Sequence, residues 1–206
     1  MKIKNVVFDL GNVLISYNPE DFHLTKGDSP ESIELFIRDV YQGPEWQLID
    51  KGEMTVEEAI LSIASRSALS EAEIARIFKL REELLFAIDG NALLLKRLKN
   101  ARFGLYYISN FPEDMFGLLS KKYDFFRFFD GGIYSASIKV LKPDPEIYRR
   151  LINNYDLIAS ESLFIDDLKQ NVDAASHEGF VTLHLTKAEA LEEELKRLLP
   201  EAFVNN

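Results

Sequence analysis

Residue types able to do chemistry stand at four places in this 206-residue chain, each directly after apolar residues. Asp9 follows VVF and precedes a turn through Gly11 and Asn12, and Ser109 and Asn110 follow YYI. Lys142 stands in KVLKPDP just before a proline that opens a helix, and Asp166 and Asp167 close LFIDD. The set comprises a carboxylate nucleophile, a hydroxyl and an amide able to hold an anion, a cation, and an acidic pair. Magnesium is the ion such a pair suits, because it takes a few carboxylate or carbonyl oxygens and completes its shell with water and substrate phosphate. Each piece alone has a plainer explanation. Asp-x-Gly is commonly a turn, Ser-Asn a cap, Lys-Pro a solvated lysine, and Asp-Asp the favourable negative start of a helix. Four such pieces falling near one sheet edge favour the chemical explanation.

The elements that must position them read as short strands, apolar on both faces as parallel strands are. They cover residues 5–9, 103–109, 162–166 and 181–185, with a fifth around 131–135. Helical patterns lie between the later strands. One begins with Pro112 in its first turn, one has Asp144 as N-cap ahead of Pro145, and one ends at Gly179. Alternation of strand and helix predicts an α/β fold with a doubly wound parallel sheet, whose ligands sit beyond the carboxyl ends of the strands.

Residues 17–87 break the alternation with amphipathic helical patterns, such as Ile33, Phe36, Ile37 and Val40, and no convincing strand. Two capping boxes, Thr55 with Glu58 and Ser70 with Glu73, start helices there. So long a helical stretch exceeds one crossover connection. A small helical domain, 17–87, is therefore expected to interrupt a core made of 1–16 and 88–206. The last helix offers Glu192–Lys196 and Glu193–Arg197 pairs at i,i+4 spacing.

Composition narrows the partners. The formal charge of -10 argues against a nucleic-acid backbone or an anionic membrane as partner, so any attraction for an anionic substrate is local. The chain has no cysteine, which excludes disulfides and thiolate chemistry, and His23, His177 and His184 share no metal-binding spacing. Asp9 interrupts the first apolar run too early for a signal peptide, and no stretch approaches the ~18 apolar residues of a membrane span. A cytoplasmic location is the expectation.

The chain resembles the haloacid dehalogenase (HAD) superfamily, most of whose members are magnesium-dependent phosphatases. FDLGNVL is similar to its first motif, ISN to the second, LKPDPEIY to the third, and FIDD with Asn171 to the fourth. The helical stretch lies where the family's first type of cap lies. The resemblance implies that Asp9 attacks phosphorus and becomes an aspartyl-phosphate. It implies that Ser109 and the Asn110 backbone hold the phosphoryl group and that Lys142 neutralises its charge. It further implies a magnesium site made of Asp9, the Gly11 carbonyl and Asp167, with Asp166 beside it and Asn171 in the outer shell. The expected substrate is a small phosphate ester.

Two positions depart from the family pattern. Most phosphatases of the family carry a second aspartate where this chain has Gly11, and it protonates the leaving oxygen. A glycine commonly stands at the position of Lys139, which reads as a surface lysine or a second anion contact. Losing the acid should cost ~10²–10⁴-fold. Either the helical domain supplies one, with Glu53 and His23 as candidates, or the leaving group needs little help. An anomeric hydroxyl leaves readily, and the DLGN form also resembles the subgroup containing sugar-1-phosphate phosphatases. Rival readings are a metal-independent dehalogenase, against which the Asp166–Asp167 pair counts, and a weakly active or non-catalytic phosphate binder.

Overall fold

Val6 and Phe8 point to one side of the first strand and Val7 to the other, and all three are fully buried. A strand that buries both faces needs helices on both sides, and this dictates the layering. The computed structural model describes residues 2–204. Its strands are β1 (Asn5–Phe8), β2 (Ile15–Ser16), β3 (Phe86–Ala87), β4 (Gly104–Ser109), β5 (Gly131–Tyr134), β6 (Ser162–Asp166) and β7 (Val181–His184). Five of them form a parallel sheet in the order β5-β4-β1-β6-β7. The helices Asp89–Asn100, Glu113–Lys122 and Leu191–Leu198 pack on the face shared by Val6 and Phe8. Helices Pro145–Asn154 and Lys169–His177 pack on the face of Val7 and Phe164. This is the expected doubly wound α/β core.

Strand order reverses around β1, so the carboxyl ends of the adjacent β4, β1 and β6 meet at one crevice. Ser109 and Asp166 end their strands, and Asp9 follows β1 directly, its N–H donating to the Ile165 carbonyl at 2.8 Å. Three of the four chemical clusters are thereby neighbours.

Every element between Pro19 and Leu84 is helical, and these helices bury a cluster of their own around Phe36, Ile63, Ile74 and Ile77. Both capping boxes form: Glu58 N–H donates to Thr55 Oγ1 at 3.2 Å, and Glu73 N–H to Ser70 Oγ at 3.3 Å. The two-residue strands β2 and β3 pair antiparallel where the chain leaves and re-enters the core. They are too short to produce an alternating pattern in sequence.

Local details differ from the sequence reading for physical reasons. The helix over Ile33 continues from Leu35 as a π-helical turn, Phe36–Tyr41, whose extra residue per turn brings Tyr41 to the buried side with Phe36 and Val40. Pro112 is the N-cap of its helix, outside the first turn. Pro145 opens the helix after Lys142, with the Asp144 side chain accepting the Glu146 N–H; Pro143 precedes that helix. Glu178 caps its helix and Gly179 follows at φ +91°, a left-handed position that glycine adopts without strain. Lys196 pairs with Glu192 at 2.8 Å, whereas Arg197 takes Glu194, one residue nearer than Glu193. Among the described residues no helix is long and apolar enough to cross a membrane.

Candidate active site

Asp9 is buried at the end of β1, and one of its oxygens is held from three directions. Oδ1 accepts from the Leu10 N–H at 2.6 Å, from Ser109 Oγ at 3.0 Å and from Lys142 Nζ at 2.9 Å. Oδ2 receives no hydrogen bond from the described residues. Burial pushes the Asp9 carboxyl up to about 7, with Lys142 opposing that shift and Asp166 adding to it.

Lys142 bridges two carboxylates, because its Nζ also lies 2.6 Å from Asp166 Oδ2. Burial alone would lower its pKa, but Asp9 and Asp166 outweigh burial and raise it. The cation is held in place by the main chain as well: the Asn110 side chain accepts from the Lys142 N–H and donates to the Lys142 carbonyl. The Asn110 amide is thus occupied in positioning the cation. Lys139, at φ +55°, is exposed and outside the cavity, a surface lysine at a left-handed position.

The acidic pair divides into an inner and an outer member. Asp166 is fully buried, and both its oxygens are occupied by Lys142, the Asn171 side chain and the Leu168 N–H. Asp167 faces the cavity, and its Oδ2 accepts from Asn12 Nδ2 at 3.0 Å. Burial raises the Asp167 pKa, opposed by that hydrogen bond. Asn12 is a site residue that the sequence reading passed over. It sits at φ +52°, accepts the Tyr17 N–H and steers Asp167, and the signal was an asparagine in the first turn, where left-handed backbone favours that residue.

Oxygens of Asp9, Asp166 and Asp167 lie within 4.8 Å of one another. Asn171 Oδ1 is buried beside them with no hydrogen-bond partner among the described residues. An orphaned acceptor next to three carboxylates fits a hydrated hard cation, whose water would supply the missing donor. Gly11 lines the same floor, and its backbone is not left-handed. A Cβ there would meet only Asp9 Oδ2, at 4.0 Å, so the turn itself does not require glycine.

Above this floor is a cavity of about 360 Å³. The helical insert contributes Tyr41, Trp46, Asp50 and Arg81 to its wall, and Phe111 and Met115 close the core side. The rings of Tyr41 and Trp46 lie 4.8 Å apart. Neither acid candidate named from sequence is there. His23 is buried in the insert between Asp28 (2.7 Å) and Tyr41 (2.9 Å), and Glu53 is exposed and pairs with Lys51.

Residues 3–179 match the family described as haloacid dehalogenase-like hydrolase. The chain belongs to that family. Among its relatives, the sesquiterpene phosphatase astK of Aspergillus oryzae is 29% identical over 95% of this chain and 96% of its own length. A phosphorylated carbohydrates phosphatase of Thermotoga maritima is 22% identical, covering 87% of this chain and 83% of that protein. A HAD family enzyme of Bacteroides thetaiotaomicron, solved as a variant with magnesium and inorganic phosphate, superposes with a TM-score of 0.69. That enzyme is 23% identical, and the match covers 88% of this chain and 93% of the other. This HAD-like hydrolase therefore carries its buried carboxylate, lysine and acidic pair on the fold expected of the family.

Proposed function

We propose that this HAD-like hydrolase is a magnesium-dependent phosphomonoesterase that works through a phosphoryl group carried on Asp9. The observation that carries the reading is the convergence of Asp9, Asp166 and Asp167, with Lys142 buried between the first two. A net charge of -10 makes that local cation the necessary attraction for an anionic ester. Both phosphatase relatives support the same chemistry.

The Asp9 oxygen without a hydrogen bond attacks phosphorus, and the bond from phosphorus to the ester oxygen breaks. The departing oxygen takes a proton. Water then attacks the same phosphorus, the bond to Asp9 breaks, and inorganic phosphate leaves with the Asp9 carboxylate restored. Ser109 and Lys142 hold the negative oxygens throughout. Asp9, the Gly11 carbonyl and Asp167 would hold magnesium, since Asp167 keeps an oxygen free whereas Asp166 is fully engaged. When bound, that ion offsets the repulsion between Asp9 and a phosphate dianion. On this reading residues 17–87 act as a cap over the α/β core.

Within the class of small phosphate esters, a sugar 1-phosphate is the finer reading drawn from the DLGN motif. A second reading is favoured by the wall of Tyr41, Trp46, Leu85, Phe111 and Met115, which suits an apolar alcohol. The likeness to a sesquiterpene phosphatase supports it. Hydrolysis of p-nitrophenyl phosphate with magnesium, and its loss on chelation, tests the general reaction. Turnover unaffected by chelation, or release of halide from a haloacid instead, would overturn it. Sugar 1-phosphates and apolar alkyl phosphates, assayed side by side, separate the two substrate classes.

A further inference from the structure

Gly11 leaves the nucleophile loop with no group able to protonate the departing oxygen, while the cavity wall carries one carboxyl that the chemistry above does not use. We propose that Asp50, on the helical insert, donates that proton; the inference rests on the phosphatase reading. Asp50 closes the helix Pro44–Asp50 and lines the same cavity as Asp9, Lys142 and Asp167.

Its partners single it out. No hydrogen bond or ion pair from the described residues reaches the Asp50 carboxylate; the charges of Arg81 and Asp114 act on it, and its own charge adds to the upward shift of the Tyr17 phenol. The other acids of the site, Asp9, Asp166 and Asp167, each accept at least one hydrogen bond. Other proton-bearing groups around the cavity are poorly suited. Lys142 is committed to two carboxylates, and Arg81 donates to Asp114 Oδ2 at 2.6 Å and to the Phe78 carbonyl at 3.0 Å. Burial raises the phenols of Tyr17 and Tyr41, which makes them weaker donors. Burial likewise raises the Asp50 carboxyl well above the ordinary range; Arg81 opposes this and Asp114 adds to it. A shift in that direction favours the protonated form, the form a donor requires.

The backbone holds it over the core. Ser135 Oγ, at the end of β5, donates to the Asp50 carbonyl, and the same Oγ accepts the Phe111 N–H at 2.8 Å. Two residues on, Gly52 at φ +70° turns the chain against Ala136, where a Cβ would come within 3.2 Å of the alanine methyl. The end of the Asp50 helix is therefore tied to the strand edge that carries the chemistry, although it belongs to the insert.

The bonds balance. As the bond from phosphorus to the ester oxygen breaks, the Asp50 O–H passes its proton to that oxygen and becomes a carboxylate. As water attacks the phosphoryl group on Asp9, the Asp50 carboxylate takes a water proton, and the acid is restored for the next cycle.

The test measures kcat/KM, which reports the first phosphoryl transfer, for p-nitrophenyl phosphate and for a primary alkyl phosphate. Wild type and Asp50→Asn are compared with magnesium present, and thermal melting checks that the variant folds. A nitrophenolate leaves without a proton, whereas an alkoxide needs one. Asp50→Asn should cut kcat/KM for the alkyl ester by ~10²–10⁴-fold and for the aryl ester far less. Asp50→Glu should recover part of the alkyl loss. Equal losses on both esters, or no loss on either, would overturn the assignment while leaving the phosphatase reading intact. Absence of aryl phosphate turnover in wild type would instead remove the phosphatase reading, and this inference with it. If Asp50→Asn does not fold, the wild type alone decides. Its kcat/KM should depend only weakly on leaving-group acidity across a series of esters, and a steep dependence would overturn the proposal.

Discussion

Asn110 and Lys142 grip one another through their amides: Asn110 Oδ1 accepts the Lys142 N–H at 2.7 Å and Asn110 Nδ2 donates to the Lys142 carbonyl at 3.1 Å. This pair of hydrogen bonds fixes the backbone from which the buried ammonium reaches Asp9 and Asp166. Asn110→Ala removes both and leaves the Lys142 main chain to drift. A displacement of about 1 Å at a reacting group can cost on the order of 10²-fold. The variant should therefore fold with kcat/KM on p-nitrophenyl phosphate lowered by roughly 10–100-fold. Activity within twofold of wild type would show that Lys142 is held by its ion pairs alone.

Asp9→Asn should reduce turnover to below about a hundredth of wild type, because an amide is a poor nucleophile and no second carboxylate is placed to replace it. Intact-mass measurement after mixing with substrate gives the complementary readout. Wild type should show a phosphoryl adduct on rapid quench, and the variant none.

The two neighbouring acids should fail in different ways. Asp167→Ala removes a cavity-facing oxygen, so the magnesium concentration giving half-maximal activity should rise while the melting temperature barely moves. Asp166→Ala removes one of two counter-charges from a buried lysine and strands the Asn171 amide, which should cost on the order of 3 kcal/mol of stability. Denaturant melts and magnesium titrations on both variants check the contrast. A large stability loss in Asp167→Ala would reverse the roles.

Much of this site was legible because each cluster is local. An apolar strand followed by Asp9, by Ser109 or by Asp166 carries its own signal, and the parallel sheet then makes the three neighbours. The cavity wall was not legible, because it depends on how the insert packs. Tyr41 reaches the cavity through a π-helical turn that periodicity does not reveal, and Arg81 through the burial of its own short helix. The acid is the clearest case. The sequence offers Glu53 and His23 as the acid, yet the turn at Gly52 leaves Glu53 in solvent and Asp50, three residues earlier, on the wall.

Acid stability should report on the insert. The hydrogen bond from Arg66 lowers the Glu45 pKa to about 2, despite opposing burial. A carboxyl with a depressed folded pKa contributes its full stability above its ordinary value of 4.5 and loses it as pH falls toward 2. Arg66 is partly exposed, so the contribution is on the order of 1–2 kcal/mol after screening. Glu45→Gln should therefore be destabilising at pH 7 and much less so at pH 3, by urea melts at both. An equal penalty at the two pH values would assign the loss to packing.

The final prediction returns a carboxyl to the position that lacks one. Gly11 has an ordinary backbone and its Cβ would make only an ordinary contact with Asp9 Oδ2, so Gly11→Asp should fold. In wild type the ratio of alkyl to aryl rates should change little, because the insert already provides a proton through Asp50. In Asp50→Asn the substitution should matter a great deal: an acid on the nucleophile loop would replace the acid lost from the wall. The double variant should recover kcat/KM for a primary alkyl phosphate by at least about tenfold over Asp50→Asn, a modest part of what a positioned acid is worth. Aryl phosphate, which needs no proton, should show no matching gain, and it also reveals any harm from a new carboxylate close to Asp9. If the aryl rate holds and the alkyl rate stays low, a carboxyl at position 11 cannot reach the departing oxygen. If both rates rise together, the change acts through the metal site or the fold. Recovery confined to the alkyl ester is the outcome expected if a carboxyl on the nucleophile loop takes over the proton transfer lost with Asp50.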